Sequence, residues 1–117
     1  MLPQEMVHWL LFLDQVLYKM AAIFRNLDLS TGADGGAATA LTTCSATTSY
    51  FNGKLVALVG DQFDPHTVGL VTHAGGNRQI TVGSTTMFFE GISVVRTGDP
   101  IADGDVCGTG SNNSFSG

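Results

Sequence analysis

His66 and His73 stand seven residues apart behind Pro65, and two aspartates, Asp34 and Asp103, occupy glycine-containing stretches on either side of them. Imidazole nitrogens and carboxylate oxygens are ligands of tetrahedral metal sites. The histidine spacing fits no short metal-binding pattern, so metal chemistry depends on where the fold places these residues. Their positions carry more than their spacing. Asp34 follows Asp28, His66 and His73 follow Asp61, and Asp103 follows Asp99, and those three aspartates end similar stretches of chain. If the stretches are related by a three-fold axis, the loops after them converge on it. The plainer alternative is a local hydrogen bond from His66 in the turn after Pro65, with Asp34 and Asp103 as ordinary turn residues. His8 lies in the leading segment and is set aside.

Catalytic patterns are missing from the sequence. It has no G-x-S-x-G, no H-E-x-x-H and no glycine loop followed by Lys-Ser/Thr. Gly108-Thr109-Gly110 opens no helix, which argues against a phosphate cradle. Cys107 has no group to orient a histidine beside it. The chain is read as a non-enzyme.

The element that must position the four candidates is an internal repeat. Residues 45–61 align without a gap on 83–99, with Thr47/Thr85, Phe51/Phe89, Gly53/Gly91, Val56/Val94, Gly60/Gly98 and Asp61/Asp99 identical. Each copy reads as a hairpin turning at Asn52-Gly53 or Glu90-Gly91 and closing on Gly-Asp; Asn-Gly suits a turn in which both central residues take positive φ. A third copy is split between the ends. Gly110–Gly117 resembles a hairpin opening, and Met20–Asp28 a closing strand with Arg25 and Asp28 matching Arg96 and Asp99. Pairing the termini removes open sheet edges. The expected fold is all-β, a small pseudo-three-fold cone of β-hairpins formed by residues 20–117.

Residues 1–19 differ: they hold no glycine, and Met6, Leu10, Leu13 and Leu17 recur at helical spacing after Pro3. Glu5 and Asp14 interrupt the apolar run, which falls short of the ~20 residues of a membrane span. The segment also lacks the basic start of a signal peptide. Either it is an N-terminal helix that packs on a partner, or Met20 is the biological start. The net charge is −5 and the five basic residues are scattered, which excludes a nucleic-acid footprint. Cys44 and Cys107 make no disulfide framework and read as buried thiols.

Residues 20–117 resemble the PAAR-repeat family, small cones at the tips of phage tail spikes and type VI secretion spikes. The matching elements are Met20-Ala-Ala-Ile-Phe-Arg25, Phe51-Asn52-Gly53 with Gly60-Asp61, Pro65-His66 with His73, Gly83-Ser84 through Gly98-Asp99, and Gly110–Asn113. The Pro-Ala-Ala-Arg signature is degenerate, as Leu55–Leu58 and Ser93–Arg96. The resemblance implies a metal held by His66 and His73, with Asp34 and Asp103 where relatives carry a histidine and a cysteine. Cys107, four residues further on, is a fallback ligand. Zinc is the expected metal, and the carboxylates leave iron open.

The resemblance further implies a structural tip that caps a trimeric β-helical spike, one copy per trimer, and meets the target membrane transiently with its metal-pinned vertex leading. The expected location is the central spike tip of a phage tail baseplate. An alternative is a type VI secretion spike tip that recruits effectors, which gene neighbourhood separates from the first. The end of the repeat at Gly117 favours a plain tip over a toxin carrier. A third reading is a small metal-binding β domain or enzyme unrelated to spikes, which turnover assays address.

Overall fold

The structure is a computed structural model, and it describes residues 21–117. The helix expected over 1–19 lies outside the described residues. Ten short strands form five antiparallel pairs. They are β1 (Ala21–Ala22), β2 (Leu41–Thr43), β3 (Tyr50–Phe51), β4 (Lys54–Leu55), β5 (Gln62–Phe63), β6 (His66–Val68), β7 (Val71–His73), β8 (Phe88–Phe89), β9 (Ile92–Ser93) and β10 (Phe115–Ser116). The helical content among the described residues is one 3-10 turn, Gly75–Asn77. The all-β reading holds.

The expected hairpins form where the turn residues placed them. β3 pairs with β4 and β8 with β9 across two-residue turns. Asn52 and Gly53 have φ of 56° and 76°, and Glu90 and Gly91 have 53° and 80°. Positive φ at both central residues matches the right-handed twist of the flanking strands. β1 pairs with β10, so the termini complete the third unit.

Beyond each hairpin the chain enters a segment of three residues: 23–25, 56–58 or 94–96. These segments close a ring. The Phe24 N–H donates to the Val95 carbonyl at 2.9 Å, Val95 to Ala57 at 3.0 Å, and Ala57 to Phe24 at 3.0 Å. Bridges Ile23↔Arg96, Arg25↔Val56 and Leu58↔Val94 join the first residue of each segment to the last of another. Alternation of side chains along a strand then divides the interior into two clusters. Ile23, Val56 and Val94 face the hairpins and pack with Phe51, Leu55 and Phe89. Phe24, Ala57 and Val95 face the loops and pack with Leu41, Phe63, Ile80 and Ile101. An edge-on Phe51–Phe89 pair, centroids 5.5 Å apart, joins two repeats at equivalent positions.

Each ring segment is closed by the aspartate that ends its repeat. The Asp28 carboxylate accepts from Arg25 N–H at 2.8 Å, Asp61 from Leu58 N–H at 2.8 Å, and Asp99 from Arg96 N–H at 2.7 Å. Asp28 and Asp99 also pair with the Arg25 and Arg96 guanidinium groups. Asp61 has Leu58 at that position, and burial pushes its carboxyl up despite backbone hydrogen bonds from Leu58 and Ser45. The residue before each aspartate is left-handed: φ is 69° at Leu27, 97° at Gly60 and 88° at Gly98.

Leu27 is thus a branched side chain where its two repeat-mates are glycine. Left-handed backbone costs an L-residue roughly 1–2 kcal/mol, partly offset by the lower unfolded-state entropy of a non-glycine residue. Leu27 is exposed, so little packing is lost on replacing it. Leu27→Gly is expected to stabilise the protein by about 0.5 kcal/mol in chemical denaturation. Gly60→Ala and Gly98→Ala should each cost about 1 kcal/mol, although a Cβ at either position meets nothing within 4 Å.

Candidate metal centre

The loops beyond the ring meet at one polar cluster. β6 and β7 form a hairpin whose register pairs His66 with His73, Thr67 with Thr72 and Val68 with Val71. Its turn is Gly69-Leu70, with φ of 59° at Gly69, as a type II′ turn requires at its first central position. A separation of seven residues therefore makes the two histidines directly opposed cross-strand partners, with ring centroids 5.1 Å apart. Asp34 reaches the cluster from a tight glycine turn in which its carboxylate accepts from Gly36 N–H at 3.1 Å. Asp103 arrives from the third loop, its other oxygen accepting from Asp105 N–H at 3.1 Å.

One atom from each residue faces a common centre, and all four lie within 4.8 Å of one another. His66 Nε2 lies 2.8 Å from Asp34 Oδ2, 3.0 Å from His73 Nδ1 and 3.2 Å from Asp103 Oδ2. His73 Nδ1 lies 3.1 Å from Asp34 Oδ2 and 3.0 Å from Asp103 Oδ2. A tetrahedral ion with ligand distances of about 2.0–2.1 Å has edges of about 3.3 Å. These five separations fall about 0.1–0.5 Å short of that.

The tautomer of His66 suits a ligand role. Its Nδ1–H donates to the Ala37 carbonyl at 2.9 Å, which in the neutral ring leaves the Nε2 lone pair toward the centre. Gly36 makes this approach workable, since a Cβ there would sit 2.7 Å from Cε1 and Nδ1 of His66.

Sequence reasoning missed two neighbours. Arg78 has no exposed side chain; its Nη1 donates to Asp103 Oδ2 at 2.6 Å and lies 2.6 Å from His66 Nε2. Asp105, equally buried, accepts from Arg78 Nη2 at 3.2 Å. Arg78 lies outside the repeat pattern that located the other four, whereas Asp105 follows Asp99 by six residues as Asp34 follows Asp28. A lone arginine after a Gly-Gly-Asn turn carried no such signal. Burial raises the Asp103 carboxyl, yet the Asp105 N–H and the Arg78 guanidinium outweigh it and hold it below the usual carboxylate range. Asp105 is likewise held low, against its burial, by the Val106 and Ala33 N–H groups, Ser30 and Arg78.

Charge counting supports the ligand set. Asp34, Asp103 and Asp105 carry three negative charges against one on Arg78, all with side chains at most 8% exposed. With neutral histidines, two negative charges are left without a partner, and buried unpaired charge is costly. A divalent cation would balance the cluster.

Cys107 is not part of it. Its side chain packs in the loop-side apolar cluster with Phe24 and Ile101, and burial pushes its thiol far up. The fallback ligand is corrected on this ground: the core claims the sulfur. Burial, with Asp61 adding to it, pushes the Cys44 thiol up to about 12. Both cysteines are free.

Comparison with known proteins agrees with the geometry. The family model described as PAAR motif matches residues 34–109, a span holding all four clustered residues. No curated protein matches the chain.

Metal binding and folding are linked when the site forms only in the folded state. Chelator treatment is expected to lower the melting temperature of the purified protein. The stabilisation lost is about 4 kcal/mol where free metal stands a thousandfold above Kd. In the His66→Ala/His73→Ala double variant, melting should not respond to chelator. Gly36→Ala removes no ligand, but its methyl meets the His66 ring, and elemental analysis should show reduced metal retention.

Proposed function

The chain belongs to the PAAR motif family, whose members are structural spike-tip proteins of contractile injection systems, and from that premise we propose that it caps a trimeric β-helical spike as a single copy. The observation that carries this reading is the closed ring of three repeats within one chain. Such a body presents pseudo-three-fold symmetry to a three-fold spike end without two further copies.

The hairpin end of the ring offers a matching surface. Tyr50, Phe88 and Phe115 occupy equivalent positions in the three repeats, and each is about half exposed. Their neighbours Phe51, Phe89 and Ser116 turn inward. Aromatic side chains repeated in this way suit an interface of about 800 Å² per partner. The ligand cluster lies on the loop side of the ring and becomes the leading point, where a divalent ion, zinc foremost, pins three loops against unfolding under load. Its role there is mechanical, and the protein works at the spike apex as a structural part and not as a catalyst. The reading of residues 20–117 as the tip domain, distinct from 1–19, belongs to the same proposal.

Stoichiometry tests it. Particles, or a complex co-expressed with the spike protein, should contain one chain per spike trimer by quantitative mass spectrometry. Three chains per trimer would defeat the proposal. Tyr50→Asp with Phe88→Asp should abolish co-purification with the spike while leaving the melting temperature within a few degrees of wild type.

A further inference from the structure

Arg78 reaches more of the vertex than the candidate metal ligands do. Its Nη2 donates to Ser30 Oγ at 3.1 Å and Thr39 Oγ1 at 3.0 Å, both in the first loop. Its Nε donates to the Asp64 carbonyl at 2.9 Å, and Nη1 lies 2.6 Å from His66 Nε2, both in the second. Asp103 and Asp105, in the third, take the remaining bonds. The guanidinium also lies 5.5 Å from the Phe63 ring centroid, over a side chain of the loop-side core. One fully buried side chain therefore ties together the three loops that form the vertex, and its planar fork satisfies several acceptors at once in a way an ammonium cannot.

We propose that Arg78 is the positioning residue of the vertex, a latch that assembles the three loops before any metal binds and holds Asp103 ready as a ligand beside His66. Metal then enters a site already built, and its loss leaves the cone closed. The loop hydrogen bonds expected to depend on the latch are named by the structure. Ser30 N–H donates to the Thr39 carbonyl at 2.9 Å, and Thr39 N–H donates to Ser30 Oγ at 3.1 Å. Ala33 N–H donates to Asp105 Oδ1 at 3.0 Å. The ring amides of Phe24, Ala57 and Val95 lie outside the latch and serve as the internal reference.

The deciding experiment is hydrogen exchange on chelator-treated, metal-free protein, comparing wild type with Arg78→Met and Arg78→Lys. Metal-free wild type should keep protection at Ser30, Ala33 and Thr39. Both variants should lose roughly a hundredfold of it there while the ring amides change by less than about threefold. Should Arg78→Met fail to fold, Arg78→Lys decides alone, because it keeps the charge and loses the fork. Wild-type protection in the lysine variant would overturn the latch, and so would equal losses in ring and loops.

A second readout is titration with zinc ion. Removing a positive charge beside a cation site strengthens binding if Arg78 is only a nearby charge. If it positions the ligands, Arg78→Met should bind zinc about tenfold or more weakly. Tighter binding would overturn the proposal. The latch concerns the same vertex as the proposed function, but its exchange test uses no metal. A wild type that binds no zinc would sink the metal reading and leave the latch to be judged by exchange alone.

Discussion

Closure of three chain segments into a ring by three backbone hydrogen bonds is the constraint on which the rest of the molecule depends. Each segment spends the N–H and C=O of its middle residue on its neighbours, so no free edge remains at the centre. The strand period then sorts side chains to the two sides without further instruction, giving a hairpin cluster on one side and a loop cluster on the other. The aspartate ending each repeat completes the arrangement by accepting the N–H of the ring's third residue. Because the ring fixes where all three loops begin, it also fixes where they meet.

The meeting point is polar, which a domain this small can sustain only if its buried groups are paired. Among the described residues, no buried side-chain nitrogen or oxygen lacks a hydrogen-bond partner. The arginine that achieves much of this gives the vertex an organisation of its own, and the surplus of carboxylates over cations leaves a charge that a divalent ion matches. Catalytic metal sites keep a position open for substrate; four candidate ligands with a guanidinium beside two of them would suit a closed, structural one.

Much of this was legible in the sequence because symmetry made it redundant. Asn52-Gly53 and Glu90-Gly91 marked turns, and repeat-equivalent Gly-Asp endings marked where loops begin. The split third copy foretold the β1–β10 pairing of the termini. Asp34, His66, His73 and Asp103 could be grouped because each follows an equivalent aspartate. Part of what escaped notice broke the repeat. Arg78 has no counterpart in the other units, and Asp105, six residues after Asp99 as Asp34 is after Asp28, stood behind the nearer carboxylate of Asp103. The His66–His73 pairing depended on a Gly69-Leu70 turn, a weaker signal than Asn-Gly. Cys107 looked eligible as a ligand by proximity in sequence, but its sulfur packs in the loop-side core with Phe24 and Ile101.

X-ray absorption at the metal edge of the purified protein tests the central claim most directly, because it reads the ligand atoms themselves. The account predicts nitrogen and oxygen scatterers alone at about 2.0–2.2 Å, with the outer-shell pattern of two imidazoles. A sulfur scatterer at about 2.3 Å, or protein that carries no metal edge after growth in metal-replete medium, would contradict it.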